Sequence, residues 1–100
     1  MWRQGDIFFS KLPSLPEEAK SRPLPHVTLA HGELTGHSHR VEDPATAALF
    51  AGPDCFYLEV SGGGARIVHD EHGPIWLDGG CYRVWRQREY TPQRIVTVVD

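Results

Sequence analysis

The sequence predicts a small, single-domain, all-β protein, a barrel or a sandwich of short strands. Three observations predict it. Apolar residues alternate with polar ones at period two over runs of four to eight residues. Ten glycines and eight prolines punctuate those runs at turns. And 100 residues make one domain with a thin core, of ordinary globular composition, 40% hydrophobic and 23% charged.

The first strand is expected over Asp6–Leu12, with Ile7 and Phe9 on one face. A stretch punctuated by Pro13, Pro16, Pro23 and Pro25 follows. In it Pro16–Lys20 suits one helical turn, because proline and acids favour a helix start, though the turn is too short to matter much to the core. Val27, Leu29 and His31 then share one strand face, and Glu33–Val41 puts Thr35, His37, His39 and Val41 on another. Ala47–Phe50 reads as a short strand, and Asp54–Val60 as another that ends at the Ser61–Gly64 turn. Ala65–His69 sets Ala65, Ile67 and His69 on one side. Asp70–Gly73 is a turn, Ile75–Leu77 a brief strand, Asp78–Gly80 a turn and Cys81–Glu89 a long strand. Arg94–Val99 closes the chain.

The net charge of −3 offers no general attraction for nucleic acid or an anionic membrane. Charge is spread evenly along the chain, with a modest basic group at Arg83, Arg86, Arg88 and Arg94. No run has signal-peptide character or could span a bilayer, so a cytoplasmic location is expected. There Cys55 and Cys81 stay reduced, as buried thiols. Trp76, Tyr82, Trp85 and Tyr90 are expected to supply most of the buried area. Open strand edges and three tryptophans favour a homodimer.

Six histidines, at 26, 31, 37, 39, 69 and 72, carry the chemistry. His37-x-His39 on a strand sends two imidazoles to the same face about 7 Å apart, so that both can converge on one ion. His69-x-x-His72 supplies a second pair if the Asp70–Gly73 turn folds His72 back. Imidazole suits zinc, iron, nickel or copper. Glu71 would act as a carboxylate ligand or as a general base beside the ion. His26, in a loop, and His31, at a strand end, are weaker candidates.

The same residues admit a metal-free reading. Paired histidines can serve as general acid and base, with Arg40 or Arg86 holding a phosphate, which suffices to cleave RNA through its 2′-hydroxyl. A third reading is a binding or regulatory module whose histidines hold zinc structurally, or hold nothing.

Gln4-Gly5-Asp6, Gly36-His37-Ser38-His39-Arg40, His69-Asp70-Glu71-His72-Gly73-Pro74-Ile75, Gly80-Cys81-Tyr82-Arg83-Val84 and Gln87-Arg88-Glu89-Tyr90 together resemble a family of small, functionally uncharacterised bacterial and phage proteins. That resemblance implies no activity. A looser similarity is to cupins, β-barrels that hold a metal with an H-x-H pair, an acid and a later histidine. In that comparison His37 and His39 form the pair, Glu42 or Asp43 stands near the acid, and His69 or His72 is the late histidine.

The leading expectation is thus a divalent transition metal (zinc, iron, manganese or nickel) held by His37, His39, His69 and His72. Glu71, His72 and Arg40 would be the catalytic side chains of a hydrolase or an oxidoreductase, and the substrate a small molecule or a nucleotide.

Overall fold

The computed structural model describes residues 1–31 and 37–86, and the backbone path alone for residues 30, 31, 88–90 and 95–97. Thr35 and the first half of the expected Glu33–Val41 strand lie outside the described residues. Among those described, two antiparallel sheets face each other as an open sandwich, and the fold is not a closed barrel.

One sheet has five strands in the order β1-β2-β9-β6-β5: Trp2–Gln4, Ile7–Leu12, Gly80–Arg86, Phe56–Val60 and Ala47–Ala51. The other has four, in the order β3-β4-β7-β8: Thr28–His31, Ser38–Val41, Ala65–Val68 and Ile75–Leu77. Arg88–Tyr90 (β10) pairs with Ile95–Thr97 (β11) as a separate hairpin. The long strand expected over Cys81–Glu89 is therefore assigned as two elements, with Gln87 outside the described residues.

The alternation that predicted the strands is the alternation that builds the core. Ile7, Phe9, Leu49, Leu58, Val60, Tyr82 and Val84 point inward from the five-stranded sheet, and Leu29, Val41, Ala65, Ile67 and Leu77 meet them from the other. Tyr82 is fully buried, with its hydroxyl donating to the Asp78 carbonyl at 2.7 Å. Burial raises the pKa of this phenol. Trp76, expected inside, is 55% exposed. It lies against Gly64, whose φ of +85° and lack of a Cβ let the ring approach. Both cysteines are half-buried free thiols rather than buried ones.

The helical turn Glu17–Lys20 (α1) forms and buries Ala19 beside Leu15, outside the main cluster. Beyond it, residues 22–24 run along β5. Leu24 N–H donates to Leu49 C=O at 2.8 Å and Ala51 N–H to Arg22 C=O at 2.9 Å, which covers that sheet edge. No helix among the described residues is long and apolar enough to cross a membrane.

β1 carried no sequence expectation. It pairs with β2 through a two-residue turn at Gly5-Asp6, in which Gln4 opposes Ile7 and Gly5 has φ +59°. That tight hairpin buries two polar side chains, Gln4 and Asp6, at one end of the sandwich.

Candidate functional site

Strand periodicity delivers the histidines to that same end. In β4, His39 and Val41 face inward and His39 is 0% exposed. His37 lies just before the strand, with 29% of its side chain exposed. His69 follows β7 on the inward side set by Ala65 and Ile67. The turn after it folds back, the condition for His72 to join the pair, because His69 Nδ1 accepts the backbone N–H of Glu71 at 3.0 Å and of His72 at 3.1 Å. The result is one cluster of four rings. Centroids lie 4.1 Å apart for His39 and His69, 4.6 Å for His69 and His72, 5.8 Å for His37 and His69, and 5.9 Å for His39 and His72.

Hydrogen bonds fix the proton on three of these rings. Gln4 Nε2 donates to the carbonyls of Ile67 and Gly73, both at 3.0 Å, so Gln4 Oε1 must be an acceptor. His39 Nδ1 therefore carries hydrogen and donates to it at 2.9 Å. Likewise His37 Nδ1 donates to Glu71 Oε1 at 3.0 Å, since an ionised carboxylate only accepts. Both rings in their neutral form thus turn an Nε2 lone pair away from an oxygen-anchored Nδ1–H, the arrangement that metal-ligating histidines use. His69 is the opposite tautomer. Its Nδ1 accepts, so its Nε2 bears the proton.

His39 Nε2 lies 3.7 Å from Asp6 Oδ1, and Asp6 Oδ2 pairs with Arg86 Nε at 3.1 Å. Asp6 is 4% exposed and the Arg86 side chain 20%, so this pair sits inside the molecule. A neutral His39 would point a lone pair at a carboxylate oxygen across that gap. Such a juxtaposition calls for a cation between the two, either a proton or a metal ion. Two donors at about 2.1 Å from an ion at the tetrahedral angle stand about 3.4 Å apart, close to the observed separation. His39 and Asp6 therefore fit the ligand role. His37 fits it in tautomer, whereas His69 fits only by releasing the two backbone amides on its Nδ1. As the side chains stand, no three His, Cys, Asp or Glu donors among the described residues are arranged to hold one ion.

Arg40 lies apart from the inner rings. Its Nη1 donates to Asp70 Oδ1 at 2.9 Å and to Ser38 O at 3.0 Å, and Ser38 N–H reaches the same Asp70 oxygen at 3.4 Å. It clamps the start of β4 to the 69–73 turn. Those contacts hold the Asp70 carboxyl below the usual carboxylate range. Glu42 and Asp43 are exposed, and Asp43 caps the 3-10 turn Pro44–Thr46 through the N–H of Ala45 at 3.0 Å. The acid that faces His39 is Asp6 instead. His26, also outside the cluster, accepts the Thr28 N–H on Nδ1 at 3.2 Å.

Sequence reasoning missed Gln4 and Asp6, and assigned Arg86 only a phosphate. The available signal was the Gln4-Gly5-Asp6 run itself, in which two polar residues flank a turn glycine. A family model described as a domain of unknown function (DUF8820) matches residues 3–87, a span that holds every side chain of this cluster. No curated protein and no solved structure matches the chain.

Proposed function

The chain belongs to the DUF8820 family, and we propose that it is a metal-dependent enzyme, a hydrolase or an oxidoreductase, whose divalent transition metal sits in the histidine cluster, acting on a small molecule or a nucleotide. The observation that carries this reading is the 3.7 Å approach of His39 Nε2 to Asp6 Oδ1 in a buried setting. Depth supports it too. A general acid or base must touch its substrate, whereas His39 is fully enclosed and serves chemistry only through something as small as an ion.

His39 and Asp6 would hold the ion from inside, with His37 and His72 closing from the half-buried side. Zinc, iron, manganese and nickel all accept such a nitrogen and oxygen set. Bound there, the ion supplies Lewis acidity and an activated water. Glu71, 63% exposed and bonded to His37, stands where it can take up a proton at the surface of the site. Arg86 holds the far oxygen of Asp6, and Gln4 holds the far nitrogen of His39.

Metal analysis of untagged protein tests this. About one equivalent of metal per chain is expected, and it should vanish in a His37→Ala, His39→Ala double variant that still folds. Protein that binds no zinc, manganese, iron or nickel at micromolar concentration overturns the reading.

The Glu71–His37 pair favours a second reading. It is a half-buried imidazole paired with an exposed carboxylate, of the kind that orients a general base, with the opposite tautomer nearby on His69. Phosphodiester cleavage that survives a chelator and is lost in His37→Ala would establish the metal-free mechanism instead.

A further inference from the structure

The outer surface of the five-stranded sheet carries groups that the histidine cluster does not use. Ile7, Phe9, Tyr82 and Val84 face the core, so alternation turns Phe8, Ser10, Arg83 and Trp85 outward. Phe8 and Trp85 stand opposite each other in the β2–β9 pairing, and their rings stack at 5.7 Å with planes 24° apart. Both are half-buried. A cation flanks each ring. Arg3, opposite Phe8 on β1, has its Cζ 5.3 Å from the Phe8 centroid, and Arg83 has its Cζ 4.6 Å from that of Trp85.

Among the described residues neither guanidinium has an acidic partner. Arg3 gives its Nε to the Gly5 carbonyl at 2.7 Å, and Arg83 lies over its ring with no hydrogen bond to another described residue. The side of the sheet toward β5 is different. There Glu18 and Lys20 of α1 stand near Tyr57 and Glu59, so the acids gather at that end and the free cations at the other. A guanidinium over a ring retains its N–H edge for a phosphate. Aromatic rings and guanidinium planes on an open sheet are also what unpaired bases stack against.

We infer that this face binds single-stranded nucleic acid, its phosphates drawn to Arg3 and Arg83 and its bases stacked at Phe8 and Trp85. An acidic peptide would satisfy the arginines and leave the paired rings unused. A second copy of the chain is disfavoured, because a two-fold contact through this patch sets cation against cation. The net charge of −3 confines the attraction to the patch. Arg3 and Trp85 are chain neighbours of Gln4 and Arg86, which hold His39 and Asp6, so the face and the histidine cluster share the same strand ends. As the substrate class of that cluster the inference rests on the reading above, but the binding itself does not need it.

The test uses the full chain, a chelator and a fluorescein-labelled oligothymidylate of about ten nucleotides, followed by anisotropy. This probe lacks the 2′-hydroxyl, so binding is read apart from cleavage. Anisotropy should rise with protein at about 50 mM salt and fall as salt is added. Trp85→Ala should weaken binding about tenfold, the loss of one stacked base. Arg83→Gln should lower the slope of log affinity against log salt by about 0.7, one phosphate contact on a single strand. That surface change keeps the test decisive if Trp85→Ala does not fold. Trp76→Ala, which alters an exposed tryptophan of the other sheet, should change neither quantity. No binding at about 100 μM protein, an unchanged slope in folded Arg83→Gln, or equal losses in the two tryptophan variants would each overturn the inference. So would a dimer in sedimentation that Trp85→Ala dissociates, since the face would then belong to a second copy. Metal plays no part in these readouts, so a failure of the metal reading shows separately.

Discussion

Gln4 Oε1 accepts the Nδ1–H of His39 at 2.9 Å while the same amide donates to the backbone of Ile67 and Gly73. One side chain from β1 thus sets the tautomer of a buried imidazole in the opposite sheet and ties down both ends of the loop that carries His69 and His72. Removing it breaks three bonds, two of them buried.

Gln4→Leu should therefore lower stability by about 2–3 kcal/mol, since buried polar partners are left unsatisfied. It should also weaken metal binding by about 10–100-fold, the usual effect of losing an outer hydrogen bond to a ligand. Urea denaturation and a zinc titration read the two effects. A stable variant with unchanged zinc affinity would assign Gln4 a packing role only.

Asp6 and Arg86 form an ion pair within the fold, at 4% and 20% side-chain exposure. Asp6→Asn leaves the guanidinium without its counter-charge and should cost about 3–5 kcal/mol. Replacing both residues with apolar ones of similar size should cost less than that single change, because no buried charge remains. A double-mutant cycle measures the coupling, and simple additivity of the two losses would contradict it.

The fold was legible because period-two alternation reports burial directly. Ile7, Phe9, His39, Val41, Ala65 and Ile67 all face inward as their spacing requires. Alternation does not count sheets or close them, so barrel and sandwich stayed equal until pairing was known. Nor could it find β1, whose three residues, two of them polar, are too few for a pattern. Trp76 escaped for another reason. Hydrophobicity alone sends a tryptophan inside, but this one sits on an edge strand against a glycine.

The meeting of four histidines was legible in the same way, as two strand ends with a turn able to fold back. Their hydrogen-bond partners were not. Gln4 and Asp6 lie more than thirty positions from His39 in sequence, and only the strand order β1-β2-β9 brings them beneath it together with Arg86. Arg40 stands apart from the inner rings, its guanidinium bonded to Asp70 just beyond the neighbouring strand.

The Arg40–Asp70 clasp predicts a pH dependence. Asp70 has a folded-state pKa below its ordinary value, chiefly through the Arg40 hydrogen bond. Its contribution is complete above the unfolded carboxylate value of about 3.9 and fades as pH falls through the lower folded value. Asp70→Asn should be less stable than wild type at neutral pH, and the two urea midpoints should converge on acidification below about pH 4. A gap that persists undiminished at acid pH would mean that shape, not charge, makes the clasp.

The tautomers themselves can be measured, and they separate the chemical readings. Nitrogen-15 spectra of the side chains should show protonated Nδ1 on His37 and His39 and protonated Nε2 on His69, because their partners are Glu71, Gln4 and two backbone amides respectively. Adding zinc to the metal-free protein should then move the Nε2 signals of His37 and His39 while their Nδ1 protons stay bonded. His69 acts as the reporter. If it joins the ion, its Nδ1 must surrender the amides of Glu71 and His72, and those two amide protons should exchange faster with solvent. If it stays outside, they should keep their protection, and His39, Asp6, His37 and His72 carry the ion alone. Zinc that leaves every Nε2 signal in place would remove the metal from this cluster and leave the Glu71–His37 dyad as its chemistry.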